Sequence, residues 1–149
     1  MRSSLALDEQ LFQDADFLSS LTYGTKIDLV GLLDAGGYSP VLLPMQITNL
    51  GEGHLPNANQ PDMKRFLNGA ENIRRVRVRG VVQNVTKETK NYWLLRVETG
   101  VGHFLVRLPL EDQYGPDRML DAELEITGLA GASRNWRSEF VCPRMIIDR

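Results

Sequence analysis

The stretch RRVRVRGVVQNV, residues 74–85, decides the fold. Arg75, Arg77 and Arg79 alternate with Val76 and Val78, the period of a strand with one buried face. At Gly80 the phase changes, and Val81 and Val82 follow each other. A glycine at a phase change predicts a bulge or sharp bend, which a small closed sheet needs to curl its first strand.

Working outward, NYWLLRVET (91–99) and GHFLVRLPL (102–110) read as the next two strands, with a tight turn at Gly100 and Gly102. EDQYGPDRML (111–120) is polar, holds Pro116 and supplies at most a short helix. AELEITGLAG (122–131) alternates again, and after ASRNWRS (132–138) the last strand is EFVCPRMIID (139–148). Three strands, a short helical connection and two more strands is the element order of the five-stranded Greek-key barrel called the OB-fold. Alternation places Val76, Val78, Trp93, Leu95, Val97, Phe104, Val106, Leu108, Leu124 and Ile126 inside. It turns Arg77, Arg79, Arg96, Glu98, Arg107, Glu123 and Glu125 outward. Pro143 has no N–H, so its strand position is expected at an edge or bulge.

Upstream, Leu11, Ala15, Leu18 and Leu21 fall at helical spacing within residues 8–22. Two apolar runs flank DAGGYSP (34–40), predicting a β-hairpin with strands near 25–33 and 40–48. NLGEGHLPNANQPD (49–62) reads as a linker, after which Pro61 opens a short helix through Leu67 that Gly69 ends. Residues 1–73 carry 4 Lys/Arg against 9 Asp/Glu, and residues 74–149 carry 13 against 10, a step that supports a boundary near 73. The expected organisation is therefore a helix plus hairpin (1–52), a linker with a short helix (53–73) and an OB-like barrel (74–149). The fold class is mainly β, with the helix and hairpin as an N-terminal appendage to the barrel.

The hairpin echoes the end of the barrel. In TKIDLVGLLDAGGYSPVLLPMQI and AELEITGLAGASRNWRSEFVCPRMI, Gly31 aligns with Gly128 and Leu32 with Leu129. Val41, Pro44 and Ile47 then fall near Val141, Pro143 and Ile146, which reads as a partial preceding repeat. A lone hairpin is marginal in water, and its apolar strands recruit a partner. Residues 25–48 are therefore expected to dock on the rest of the chain or to form a homodimer, the latter being preferred because a two-fold pairing satisfies both edges.

Of the 149 residues, 42% are hydrophobic and 24% charged, and the formal net charge is −2. No apolar run approaches the ~18 residues of a membrane span, so no membrane contact is expected within this chain. Cys142, the single cysteine, lies in an apolar run and reads as a small buried hydrophobe. His54 and His103 sit in Gly-flanked segments without metal-ligand spacing. No nucleophile–base pair, carboxylate set or phosphate-cradling loop can be assembled, so no catalytic residue, cofactor or metal is expected. The candidate binding face is Arg77, Arg79, Arg96 and Arg107 with Trp136, near Tyr92 and Trp93, the ingredients of single-strand binders. Glu98, Glu123 and Glu125 alternate along the same faces, which predicts cross-strand pairing and makes nucleic acid an unfavoured partner.

The pattern of Leu55 and Pro56, then residues 77–82, 124–128 and 140–147, resembles the OB-like sensor-region repeats of bacterial hybrid two-component histidine kinases. Residues 34–38 and 41–47 echo the preceding unit. Where that family has an Asp-Gly turn, this chain has Thr99-Gly100. The resemblance implies a non-catalytic sensor or scaffold module with an unknown ligand, and transfers no functional residue. It implies an extracytoplasmic place in a membrane-anchored protein; without it, the chain reads as cytoplasmic. The alternative is an OB-fold binding module for single-stranded nucleic acid or an oligosaccharide. Residues 70–149 are expected to fold alone.

Overall fold

The computed structural model describes residues 17, 20–36, 40–110 and 115–147. The helix expected at 8–22 lies largely outside them. The chain divides into two compact units, Met1–Leu55 and Pro56–Arg149.

The first unit holds the hairpin, with strands β1 (Thr25–Asp34) and β2 (Val41–Glu52). The second strand runs four residues beyond the expected end, because pairing continues through Ile27↔Asn49 to Thr25↔Glu52. Gly31 lies across from Pro44, and a Cβ there would meet the Leu43 carbonyl oxygen at 2.3 Å. Only glycine permits that approach.

The second unit begins with helix α1 (Met63–Leu67), followed by β3 (Arg75–Thr89), β4 (Tyr92–Glu98), β5 (His103–Pro109), helix α2 (Pro116–Met119), β6 (Glu123–Arg134) and β7 (Phe140–Ile147). Their order along the chain is the one the alternation predicts. The strands pair in the order β3-β4-β5-β7-β6, and β6 returns to β3, so the five-stranded sheet closes in a ring. β3 makes closure possible by serving two neighbours. Residues 75–81 pair with β6, and residues 81–89 pair with β4. Gly80 stands at the changeover, where a Cβ would meet Val97 Cγ1 at 2.5 Å and the Glu98 carbonyl oxygen at 2.6 Å. Gly80 is therefore where β3 changes partner, but it is not the site of a bulge. Pairing with β6 runs unbroken through Gly80, and the register shifts fall at Val82/Asn84 and Lys87/Thr89 on the β4 side.

The interior is filled as alternation predicts by Val76, Val78, Leu95, Val97, Phe104, Val106 and Ile126, joined by Val82, Ala130 and Met145. Trp93, Leu108 and Leu124 are partly buried against it. Pro143 is buried rather than at an open edge. Pairing of β7 with β5 begins one residue later, at Leu105↔Arg144, so the missing N–H falls at the end of that ladder.

The compact unit starts earlier than the charge step at residue 73, and α1 explains why. The helix begins at Met63, two residues after Pro61, because Asp62 caps it: Asp62 Oδ1 accepts from Lys64 N at 3.0 Å and Arg65 N at 3.1 Å. The turn of helix drives Phe66, 1% exposed, against Phe104 edge-to-face, with centroids 5.2 Å apart and planes at 79°. Asn59 makes a parallel bridge to Val76, accepting from Arg77 N at 2.8 Å and donating to the Arg75 carbonyl at 3.1 Å. Behind α1, Glu71 is buried and takes Arg65 at 3.1 Å and Arg74 at 3.4 Å. The expected short helix thus supplies a core residue, and of the expected linker Asn59 is tied to β3.

Candidate binding face

The five candidate residues do not form one cluster: Arg77 and Arg79 lie on β3, Arg96 on β4, Arg107 on β5 and Trp136 in the turn after β6. Arg77 and Arg79 stand on the first half of β3 and share one carboxylate across the β3–β6 pairing. Arg79 Nε lies 2.7 Å from Glu125 and Arg77 Nε 3.9 Å. The hydrogen bond to Glu125 raises the Arg79 pKa above its ordinary value, which keeps the guanidinium charged. An open groove beside this pair is lined by Arg79, Gln83, Glu98, Thr99 and Glu123. Arg96 on β4 reaches Glu98 at 3.2 Å and the His103 Nδ1 at 3.5 Å.

Arg107 on β5 sits in the densest cluster. Its guanidinium lies 3.9 Å above the Tyr92 ring, a cation–π contact. Its Nε is 3.0 Å from Glu88 Oε2; both atoms are buried, and they are close as an ion pair without the alignment of a hydrogen bond. Arg144 on β7 pairs with the other oxygen of Glu88. One carboxylate from the end of β3 thus reaches over β4 and holds guanidiniums of β5 and β7. Those two strands form the parallel seam that closes the ring, paired only from Leu105↔Arg144 to Arg107↔Ile146. The bulge at Lys87/Thr89 makes this possible, since an extra residue re-aims the side chain. Removing Glu88 would leave two half-buried cations facing each other. Glu88→Ala is therefore predicted to destabilise the ring by about 1–2 kcal/mol, measured by thermal melting, with Glu88→Gln milder. An unchanged melting temperature would show that the pair adds nothing to closure.

Trp136 is set apart from these pairs, in the turn between β6 and β7. Its indole is 86% exposed, and the Arg137 guanidinium lies 4.6 Å from its ring. The turn is fixed by Asn135, whose Oδ1 accepts from Arg137 N at 2.9 Å and Glu139 N at 3.0 Å and whose Nδ2 donates to Glu139 at 2.7 Å.

Glu88, Arg144 and Arg137 were not singled out in the sequence. Glu88 sits in the polar run VTKETK, where the bulge erases the period that would have assigned its face. Arg144 carried a signal, being the lone charge in the apolar run FVCPRMII. Cys142 is buried, and burial pushes its thiol pKa up, which disfavours the nucleophilic thiolate. Among the described residues, no three His, Cys, Asp or Glu side chains converge to hold a metal, and no helix is long and apolar enough to cross a membrane.

No protein-family profile and no curated protein matches the chain. Among solved structures, an aspartyl tRNA synthetase from Entamoeba histolytica is similar at 13% identity and a TM-score of 0.44, over 60% of this chain and 20% of that one. The match spans about a fifth of that protein's length.

Proposed function

We propose that the ring is an OB-like Greek-key barrel acting as a non-catalytic sensor or scaffold module in a bacterial two-component signalling protein. Support for the Greek key is the neighbour order β6-β3-β4-β5, in which the fourth strand returns beside the first of three hairpin-connected ones. A short helix between the third and fourth strands supports the OB reading. The signalling context rests on the residue pattern at 77–82, 124–128 and 140–147.

The observation that carries the choice against a polyanion binder is the pairing of the outer arginines. Arg77, Arg79, Arg96 and Arg107 each lie within 4 Å of a carboxylate of Glu125, Glu98 or Glu88. Paired cations release fewer counterions from a phosphate backbone. The prediction is that mixed-sequence oligonucleotides do not bind below ~10 µM at physiological salt in fluorescence anisotropy. Sub-micromolar binding that weakens in the Arg77→Ala/Arg107→Ala double variant would overturn it. The signalling assignment is tested by the reading frame that carries this chain. A histidine-kinase core in the same polypeptide is expected, and a tRNA- or helicase-related neighbour would count against it.

The exposed Trp136 favours a second reading, a module for single strands or oligosaccharides, because a presented indole can stack on a base or a sugar face. Quenching of Trp136 fluorescence by an oligosaccharide, abolished in Trp136→Ala, would support it.

A further inference from the structure

Among the described residues β1 has one partner, β2, and its other edge is unpaired. The two strands of this hairpin are not equivalent. Both register shifts, at Thr25/Ile27 and Val30/Gly31, put the extra residue on β2, and β2 also carries Pro44, which has no N–H to donate. Bulges and proline are the devices that blunt a strand edge. β1 has neither, and runs regularly with Val30 55%, Leu32 58% and Leu33 76% exposed.

We propose that β1 pairs antiparallel with β1 of a second copy of this chain, about a two-fold axis at Val30. The charges select that register. Lys26 then lies across from Asp34 of the second copy, and by symmetry Asp34 across from its Lys26. Ile27 faces Leu33 and Asp28 faces Leu32. Lys26 and Asp34 have no ion-pair partner among the described residues, and Asp34 is held at the strand end by accepting from Gly36 N at 2.8 Å. A slip of two residues one way loses both ion pairs. The same slip the other way sets Asp28 against Asp34, and directly opposed like charges disfavour pairing. A slip of one residue in either direction sets Lys26 against Leu33 or Ala35 and Asp34 against Thr25 or Ile27, so both ion pairs are lost. An edge that is regular, apolar and charge-complementary to itself in one register fits a copy of itself, and the contact is isologous as a two-fold dimer requires.

Sedimentation equilibrium of the full chain tests this, with far-UV circular dichroism to check that each variant is folded. The wild type is expected to dimerise. Lys26→Asp and Asp34→Lys, which each set like charges together twice, should weaken the dimer about tenfold. The double variant Lys26→Asp/Asp34→Lys restores opposite charges and should recover wild-type dimerisation. If a charge reversal fails to fold, Val30→Lys sets two lysines at the axis and should weaken the dimer in the same way. A monomeric wild type, or a dimer indifferent to the single changes or not rescued by the double change, overturns the proposal.

Discussion

Phe66→Ala is expected to destabilise the ring unit by about 3–5 kcal/mol, the range for truncating a fully buried aromatic side chain. In a domain of this size each kcal/mol moves the midpoint by about 4–8 °C, so thermal unfolding should shift down by upwards of ~12 °C. The reason is positional. Phe66 is 1% exposed and stands edge-on to Phe104, itself fully buried. Met63 and Leu67 of the same helix pack beside it on the core. Leu67 also reaches the β4–β5 turn, where a Cβ on Gly102 would come within 2.9 Å of its Cδ1. The same contacts revise the minimal folding unit. A fragment of residues 56–149 is predicted to melt cooperatively. A fragment of residues 70–149 keeps every strand of the ring but lacks α1 and the Asn59 bridge, and should melt far lower or without cooperativity. Equal melting of the two fragments would show that α1 is an ornament to the ring.

Gly128→Ala is the second change with a large predicted effect, about 1–3 kcal/mol by the usual cost of overpacking. Gly128 is buried on β6, paired with Val76 of β3 on one side and Ile147 of β7 on the other. A Cβ there would sit 2.3 Å from the Ile146 carbonyl oxygen, 3.0 Å from the carbonyl carbon and 3.2 Å from Ile147 Cα. These are backbone atoms in a closed ring, so relief requires β6 and β7 to part. Gly115→Ala is the control, since nothing lies within 4 Å of the added carbon. Its melting temperature should stay at that of the wild type. A Gly128→Ala protein as stable as the control would mean that the β6–β7 pairing yields more easily than its geometry implies. Gly31 reproduces the contact in the hairpin, with the same 2.3, 3.0 and 3.2 Å to Leu43 and Pro44. The glycine-leucine correspondence seen in the sequence thus has a physical basis in the first strand of each hairpin. The second strands do not follow the sequence alignment. Leu32 pairs with Leu43 and Leu129 with Ile146, so Leu43 is the positional counterpart of Ile146, not of a residue near Val141 or Pro143.

The strands of the ring and the facing of their residues were legible in the chain, because alternation is a local property. A side chain's face in a strand depends on its neighbours two positions away, and Val76, Val78, Leu95, Val97, Phe104, Val106 and Ile126 fell inside for that reason. The changeover at Gly80 was legible for the same reason: a phase change is visible within a few residues. The outer arginines were legible as a paired face, with Glu98 and Glu125 among the expected partners, but Glu88 was not. Glu88 meets Arg107 and Arg144 only after the ring closes, across sequence separations that no periodicity spans. A five-residue helix is likewise too short to show a repeat, so nothing in PDMKRFLNG announced that Phe66 would be a fully buried core residue. Local chemistry determined which segments are strands and which way they face. Closure decided where the domain begins and which charges meet, because both depend on atoms that are distant along the chain and neighbours only in the folded ring.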